Sequence, residues 1–174
     1  PYRNEGCRMN KLIVGLIGHK RSGKDTLFRI IQARYPQAVR VSIADPIRED
    51  IARRFETTVA AIEAEKEFWR PILQWWGEAR REYWTSKAFL RIHNADTNLV
   101  VVTDARYPDQ FDLIRAQGGI IVRLLRAQSG PADMHPSEQN ITLAGADVFI
   151  MNPGDETFEA AAWELWPMID GRLR

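Results

Sequence analysis

The sequence predicts an α/β fold in which a five-stranded parallel sheet has helices on both sides. Two observations predict it. Apolar runs of strand length alternate with stretches of helical periodicity, and the first run leads into a glycine-rich turn and a helix. Such alternation is typical of parallel sheets, whose strands are buried on both faces. The 174 residues, 45% of them hydrophobic, are enough for one domain with its own core.

The first strand, 12–17, runs into a turn of the form Gly-x-x-x-x-Gly-Lys, and a helical pattern begins at Leu27. This arrangement is typical of the phosphate-binding loop. Its glycines let backbone N–H groups approach an anion, and the N-terminus of the following helix adds its positive dipole. We therefore expect the loop to bind a nucleoside triphosphate, with Lys24 on the β- and γ-phosphates. The loop residues expected at this ligand are Gly18, Lys20, Arg21, Ser22, Gly23, Lys24, Asp25 and Thr26.

Asp25 departs from the usual loop pattern. The residue after the lysine is ordinarily Ser or Thr, whose hydroxyl holds Mg²⁺. Here it is aspartate, and Thr26 follows. Because an aspartate can hold Mg²⁺ directly or through water, the metal role is left open between these two side chains.

Four later apolar runs are predicted as strands, and helical patterns separate them. The strands are 38–44, 99–103, 120–125 and 147–151, and the helices between and after them are 46–55, 109–116 and 155–169. The segment 57–95 has no strand signal and is predicted as a helical insertion between the second and third strands. The loop 127–138 contains Gly, Ser and Pro, as a mobile lid would.

The residues that follow each strand are the next candidates, because parallel sheets bind ligands beyond the carboxyl ends of their strands. Asp104 ends the third strand, where an acid commonly supports Mg²⁺, and Arg106 can clamp a phosphate. Arg126 ends the fourth strand and is the candidate for reaching a transferring phosphate. Asp45 caps the next helix or contacts an acceptor. Asn152 fits an adenine edge and a turn equally well.

The insertion holds the most aromatic part of the chain, with four of the six tryptophans between residues 69 and 84. Trp75 and Trp76 offer flat faces on which a base can stack, Gln74 offers an amide, and Arg80 offers a planar fork for a phosphate. The same pattern fits an amphipathic helix with aromatic core contacts, and it fits a homodimer face. These interpretations stay open on the pattern alone.

Composition excludes other classes. A net charge of +1 gives no strong electrostatic attraction to a nucleic acid polymer, so we expect none as a partner. No apolar run is long enough to cross a bilayer. The single cysteine, Cys7, excludes an internal disulfide framework and fits a reducing compartment, so we expect a cytoplasmic protein. Residues 1–10 lack the apolar core of a signal peptide and are expected to be a flexible leader.

Together these residues resemble the phage-type deoxynucleoside monophosphate kinases, over nearly the whole chain from Lys11. The matching motifs are Gly18–Thr26 with its GKDT sequence, Ala44–Pro46, Leu73-Gln74 with Gly77 and Arg80, Thr103–Arg106, Arg126, His135-x-Ser137-Glu138, and Asn152-x-Gly154. The resemblance implies a three-layer α/β/α P-loop kinase fold, with 11–174 as a single kinase domain and 57–95 as its acceptor-binding insertion.

The resemblance also implies an activity: transfer of the γ-phosphoryl group of ATP, with Mg²⁺, to a deoxynucleoside monophosphate in a bacterial or phage-infected cytoplasm. Because the second pKa of an acceptor phosphate is about 6, that phosphate is already a nucleophile and needs no general base. The implied catalytic residues are Lys24, Arg106 and Arg126, the metal ligands Asp25, Thr26 and Asp104, and the adenine contact Asn152. The implied acceptor contacts are Asp45, Gln74, Trp75, Gly77, Arg80, Asp104 and Arg106. The same elements resemble the animal-type phosphomevalonate kinase, and a P-loop ATPase or switch module is a third interpretation.

Overall fold

The computed structural model describes residues 11–126 and 145–173. The chain divides into two compact units: the first holds the described residues up to Arg40 and from Asp96 onward, and the second is Val41–Ala95. The predicted leader and the predicted lid, with His135, Ser137 and Glu138, lie outside the described residues. Those predictions, and the single-domain boundary, stay predictions.

The chain forms the predicted five-stranded parallel sheet. The strands are β1 (Leu12–Ile17), β2 (Val39–Val41), β3 (Leu99–Val102), β4 (Ile120–Leu125) and β5 (Val148–Met151). Their spatial order is β2-β3-β1-β4-β5. Gly15 of β1 pairs with Val102 on one side and with Ile121 on the other. The carboxyl end of β1 therefore lies between those of β3 and β4.

The described helices are α1 (Lys24–Arg34), α2 (Asp45–Arg54), α3 (Val59–Ala64), α4 (Lys66–Ala79), α5 (Arg81–Asn94), α6 (Pro108–Ala116), α7 (Phe158–Ala161), a 3₁₀ turn (Ala162–Leu165) and α8 (Trp166–Arg172). The segment predicted as a helical insertion is thus formed by α3, α4 and α5. Among the described residues, no helix is long and apolar enough to span a bilayer.

Helices cover both faces of the sheet because side chains of a strand alternate between its faces. Val14 of β1 packs in one buried cluster with Leu27 of α1 and Ile169 of α8. Gly15 faces the other way, where an added Cβ would lie 2.9 Å from the Ile114 side chain of α6. The three-layer prediction is confirmed, and Gly15 is what lets α6 approach the central strand closely.

The second strand is shorter than predicted, because β2 ends at Val41 where the prediction extended to residue 44. The Asp45 carboxylate accepts the Ser42 N–H at 3.2 Å, and the Asp45 N–H donates to the Ser42 carbonyl at 3.2 Å. Both Ser42 backbone groups are therefore engaged in a turn and do not continue the strand.

The prediction of one continuous helix over 155–169 is wrong. It consists of α7, the 3₁₀ turn and α8. Pro167 is the second residue of α8 and has no N–H to donate to the preceding turn, so the chain breaks its α-helical pattern there. The predicted apolar face is still present, because its four residues are all buried: Phe158, Ala162, Leu165 and Ile169.

The second unit has its own core. Ile47 and Ile51 of α2, Ile62 of α3 and Trp84 of α5 are buried together, with Trp76 packed against them. The Trp84 indole N–H donates to the Trp76 carbonyl at 3.0 Å. Three of the four tryptophans in this stretch, Trp69, Trp76 and Trp84, therefore belong to the core or pack against it, which was one of the interpretations of the sequence.

Asp50, a buried carboxylate in α2, organises one side of this core. It accepts hydrogen bonds from the Trp76 indole at 3.0 Å, from Arg54 at 2.9 Å and from Arg53. Burial of the carboxyl opposes its ionisation, but the three donors outweigh it and hold the pKa of Asp50 below its ordinary value.

We expect Asp50→Asn to destabilise the protein at neutral pH by about 1–3 kcal/mol, because the amide cannot accept all three hydrogen bonds. A lowered pKa means that this stabilisation is present above the unfolded-state pKa, about 3.9, and is lost as the pH falls through the folded-state value. The difference between wild type and variant in urea unfolding should therefore shrink below about pH 4. Asp112→Asn, at an exposed aspartate of α6, is the control. A difference that is constant with pH would contradict this account.

Candidate functional site

The glycine-rich turn leaves the end of β1 and begins α1, and two of its glycines are required by contacts. A Cβ on Gly18 would lie 2.5 Å from the Ser22 hydroxyl and 2.9 Å from the Leu124 carbonyl. A Cβ on Gly23, whose φ is +102°, would lie 2.2 Å from the Asn152 amide nitrogen. Any larger residue would collide with neighbouring atoms, so the close-packed turn predicted from the motif is present.

Lys24 folds back over this turn. Its ammonium donates to the Gly18 carbonyl at 2.6 Å, to the His19 carbonyl at 2.9 Å and to the Ser22 hydroxyl at 3.4 Å. These acceptors all belong to the loop, so the ammonium lies where the loop would enclose an anion. A phosphate oxygen would compete with the two carbonyls for the same three N–H groups.

The remaining loop residues differ in exposure. Ser22 is fully buried, whereas Arg21, Asp25 and Thr26 are exposed and Lys20 is half-buried. Arg21 has a φ of +65°, which is uncommon for a residue with a side chain. Its carbonyl accepts a hydrogen bond from Arg126, so a tertiary contact supports this conformation.

Arg126 and Asn152, which follow β4 and β5, both contact the loop. An Arg126 guanidinium N–H donates to the Arg21 carbonyl at 3.2 Å. The Asn152 side-chain amide donates to the Ser22 carbonyl at 2.8 Å, and its oxygen accepts the Gly154 N–H at 2.8 Å. Two predicted site residues therefore donate hydrogen bonds to consecutive carbonyls of the loop, those of Arg21 and Ser22. Contact of Asn152 with adenine stays a prediction.

Asp25 lies beside an arginine that the sequence analysis did not select. Its carboxylate is 3.9 Å from an Arg40 guanidinium nitrogen, and the Arg40 Nε donates to the Thr103 hydroxyl at 3.0 Å. Arg40 is the penultimate residue of β2 and therefore lies close to the carboxyl end of that strand. The prediction missed it because it extended that strand to residue 44 and left Arg40 in the middle.

The segment after β3 holds Asp104 and Arg106, both half-buried. It is fixed by the buried Gln110 of α6, whose side-chain oxygen accepts the N–H of Arg106 at 2.8 Å and of Tyr107 at 3.2 Å. Because β3 is the neighbour of β1, these residues lie at the same edge of the sheet as the glycine-rich loop.

The oxygen atoms of Asp25, Thr26 and Asp104 are hard donors of the kind that Mg²⁺ prefers. Asp25 is 78% exposed at its side chain, and its charge is partly balanced by Arg40. Within residues 11–126 and 145–173, no three acids, histidines or cysteines cluster as a metal cage. This donor set fits Mg²⁺, which usually takes one or two carboxylates and completes its shell with phosphate and water.

In the second unit, Asp45 begins α2 and does not occupy the cap position, which is Ala44. The expectation that Asp45 caps this helix is therefore wrong: its carboxylate accepts from the Ser42 N–H and from Arg48 at 3.0 Å. A Cβ on Gly77 would lie 3.1 Å from Ile47, so Gly77 lets α4 pack closely on α2.

The other predicted acceptor contacts lie on α4 and at its end. Gln74 is half-buried and Arg80 is exposed, with its guanidinium 4.3 Å from the ring centre of Tyr83. Trp75 is 67% exposed and meets Trp76 edge-on, with 5.7 Å between their ring centres. The two adjacent tryptophans therefore differ: Trp76 supports the core, and Trp75 presents an accessible aromatic face.

Residues 76–160, just under half of the chain, match the deoxynucleotide monophosphate kinase family. The match contains Gly77, Arg80, Arg106, Arg126 and Asn152, and it begins after the glycine-rich loop. The resemblance recognised in the sequence is confirmed over this stretch. No curated protein matches the chain.

Solved structures are similar to this chain. A protein from Chloroflexus aurantiacus described as a kinase superposes with a TM-score of 0.53 at 12% identity, covering 94% of this chain and 98% of its own. Shikimate kinases from Bacteroides thetaiotaomicron and Aquifex aeolicus are 14% and 15% identical, with TM-scores of 0.49 and 0.47. The first covers 91% of this chain and 98% of its own, and the second covers 92% and 97%. At 12% identity the likeness to the Chloroflexus aurantiacus protein concerns the fold alone, which agrees with the three-layer fold predicted from the sequence.

Proposed function

We propose that this chain, a nucleotide kinase whose residues 76–160 match the deoxynucleotide monophosphate kinase family, transfers the γ-phosphoryl group of ATP to a deoxynucleoside monophosphate. One observation carries the proposal. The stretch that matches the family supplies Arg126, and this arginine contacts a glycine-rich loop of the phosphate-binding type on the central strand. Donor and acceptor phosphates both need such cationic and N–H-rich surroundings.

On this proposal the loop residues Gly18–Thr26 hold the triphosphate of ATP, with Lys24 on its terminal phosphates. Asp25, Thr26 and Asp104 are the residues that would hold Mg²⁺, which neutralises charge on the β- and γ-phosphates when bound. Arg126 and Arg106 would stabilise the charge of the transferring group. No residue is needed as a base, because the acceptor phosphate is already ionised at neutral pH.

The reaction itself is a displacement at phosphorus. An acceptor phosphate oxygen forms a bond to the γ-phosphorus while the bond to the β–γ bridging oxygen breaks, so ADP and a diphosphate are released. Such transfer depends on alignment and charge neutralisation. A bacterial or phage-infected cytoplasm, which supplies ATP and nucleoside monophosphates, is the compartment that this activity implies.

The acceptor is proposed to contact the second unit through Gln74, Trp75, Gly77, Arg80 and Asp45. Trp75 supports a base-bearing acceptor over phosphomevalonate, because its exposed face can stack on a base. The homodimer interpretation of this surface stays a prediction.

We expect Trp75→Ala to raise the KM for the nucleoside monophosphate by about 5- to 150-fold, the range that follows from loss of one stacked base. Stability should change by less than about 0.5 kcal/mol, because the side chain is mostly exposed. Trp163→Ala is the matched control, since Trp163 is 68% exposed and lies in the first unit. An unchanged KM for every monophosphate would remove Trp75 from the acceptor site.

The proposed function is tested by coupled measurement of ADP release with ATP and a panel of acceptors. We expect ADP release to depend on a deoxynucleoside monophosphate and to be slower with ribonucleotides. Release that requires phosphomevalonate would favour the alternative kinase. Release that ignores every acceptor would indicate an ATPase or switch module and would contradict the kinase proposal.

A further inference from the structure

We infer that Asn152 is a positioning residue that orients the phosphate-binding loop, and that its side chain does not recognise the adenine base. This inference rests on the proposed function and deepens it, because it assigns the role of one residue toward the donor. The juxtaposition that carries it is between Asn152, which follows β5, and the loop that follows β1.

Asn152 is buried, with 5% of its surface exposed, and each end of its amide has a partner. The nitrogen donates to the Ser22 carbonyl at 2.8 Å and the oxygen accepts the Gly154 N–H at 2.8 Å. The Asn152 backbone N–H donates to the Leu125 carbonyl at 2.7 Å, which fixes the residue to β4. An amide held at both ends and at its backbone is poorly suited to turn toward a base.

The contact with Ser22 determines where the next N–H of the loop points. The described chain contains no cis peptide bond, so the Ser22 carbonyl and the Gly23 N–H point in opposite directions across one peptide plane. With the carbonyl held toward Asn152, the Gly23 N–H is directed to the opposite side of the loop. Gly23 precedes α1, and N–H groups at this position are the donors that bind phosphate.

Arg126 acts on the preceding peptide in the same way. It donates to the Arg21 carbonyl, and the Ser22 N–H of that peptide donates to the His19 carbonyl at 3.1 Å, which closes the turn. A Cβ on Gly154 would lie 2.8 Å from an Arg126 nitrogen, so the turn after Asn152 also packs against this arginine. Two strand ends therefore hold two consecutive loop peptides.

The experiment separates loop orientation from base recognition by comparing two ligands. Dissociation constants of Mg²⁺-ATP and of Mg²⁺-tripolyphosphate, which has no base, are measured by calorimetry for wild type and for Asn152→Ala. Alanine is chosen because it brings no charge toward the phosphates. Asp155→Ala is the matched control, because Asp155 follows Gly154 in the chain and its carboxylate accepts hydrogen bonds from the N–H and the hydroxyl of Thr157, which lies outside the loop.

We expect Asn152→Ala to raise the dissociation constants of ATP and of tripolyphosphate by the same factor. The factor should be about tenfold or more, because one buried hydrogen bond to the loop is lost. The control should leave both constants unchanged. Weaker ATP binding with unchanged tripolyphosphate binding would assign Asn152 to adenine and overturn the inference. Unchanged binding of both ligands would overturn it as well.

A second measurement uses the wild-type chain and decides the matter if Asn152→Ala does not fold. The NMR signals of the Asn152 side-chain amide are followed during titration with each ligand. Equal chemical-shift changes with ATP and with tripolyphosphate would support the role of Asn152 in orienting the loop. A change with ATP alone would overturn the inference. A wild-type chain that binds neither ligand would contradict the proposed function itself, whereas normal wild-type binding with an unaffected variant contradicts only the role of Asn152.

Discussion

Lys24→Ala is expected to lower the turnover of phosphoryl transfer by a factor on the order of 10³ or more, because its ammonium is held against the Gly18 and His19 carbonyls inside the loop. Charge on the transferring group is stabilised chiefly by fixed cations, so removal of one that is already held at the loop raises the barrier directly. The measurement is single-turnover ADP formation at saturating ATP and acceptor.

The same variant should remain folded. Lys24 is part-buried and its three hydrogen bonds, to the Gly18 and His19 carbonyls and the Ser22 hydroxyl, all lie within the loop. We expect their loss to cost about 1–2 kcal/mol and to leave the core intact. Arg29→Ala removes an exposed cation from the same helix and is the control for charge. Near-normal turnover of Lys24→Ala, with unaltered unfolding, would show that this lysine is not catalytic.

Gly23→Ala is expected to lose both stability and ATP affinity. Its Cβ would lie 2.2 Å from the Asn152 amide nitrogen, which cannot retreat without breaking its hydrogen bonds to Ser22 and Gly154. The φ of +102° adds backbone strain. Strain of about 1–3 kcal/mol and two hydrogen bonds of about 1 kcal/mol each predict a loss of several kcal/mol. ATP affinity should fall on the order of 100-fold, because the loop N–H groups are displaced.

Gly118→Ala separates the two contributions. Gly118 has a φ of +73°, but a Cβ there would meet nothing within 4 Å. This variant should therefore show the strain alone, about 1–2 kcal/mol, with unchanged nucleotide binding. Equal destabilisation by the two substitutions would mean that the contact between Gly23 and Asn152 contributes nothing. Urea unfolding and ATP calorimetry supply both comparisons.

The strands and helices could largely be predicted from the sequence where local pattern decides them. β4 has the predicted bounds, because its apolar run is flanked by glycines and by an arginine. The C-terminal segment was predicted as one helix because its apolar residues recur at helical spacing, but that spacing also suits a 3₁₀ turn, as at Ala162 and Leu165. The end of β2 was missed because the sequence stays apolar beyond Val41. The strand ends there where the Asp45 carboxylate accepts a hydrogen bond from the Ser42 N–H.

The candidate site divides in the same way. The glycine-rich loop was recognisable because its residues are contiguous and their chemistry depends on spacing. Arg40 was missed, since its relevance arises from contacts with Thr103 and Asp25 across the sheet. Trp75 and Trp76 were indistinguishable in sequence, and only packing shows that one is in the core and the other is exposed.

The sequence by itself determined the α/β class, the loop that predicts a triphosphate ligand and the strand ends that could bear function, because each depends on residues that are neighbours in the chain. Only the tertiary structure decided which of those ends support the loop. The Asn152–Ser22 contact joins residues 130 positions apart, and the Arg126–Arg21 contact joins residues 105 apart. Such pairs depend on strand order, which places β4 beside β1 and β5 beside β4. The physical reason is that a buried amide must have a hydrogen-bond partner, and the fold determines which carbonyl lies within hydrogen-bonding distance of it.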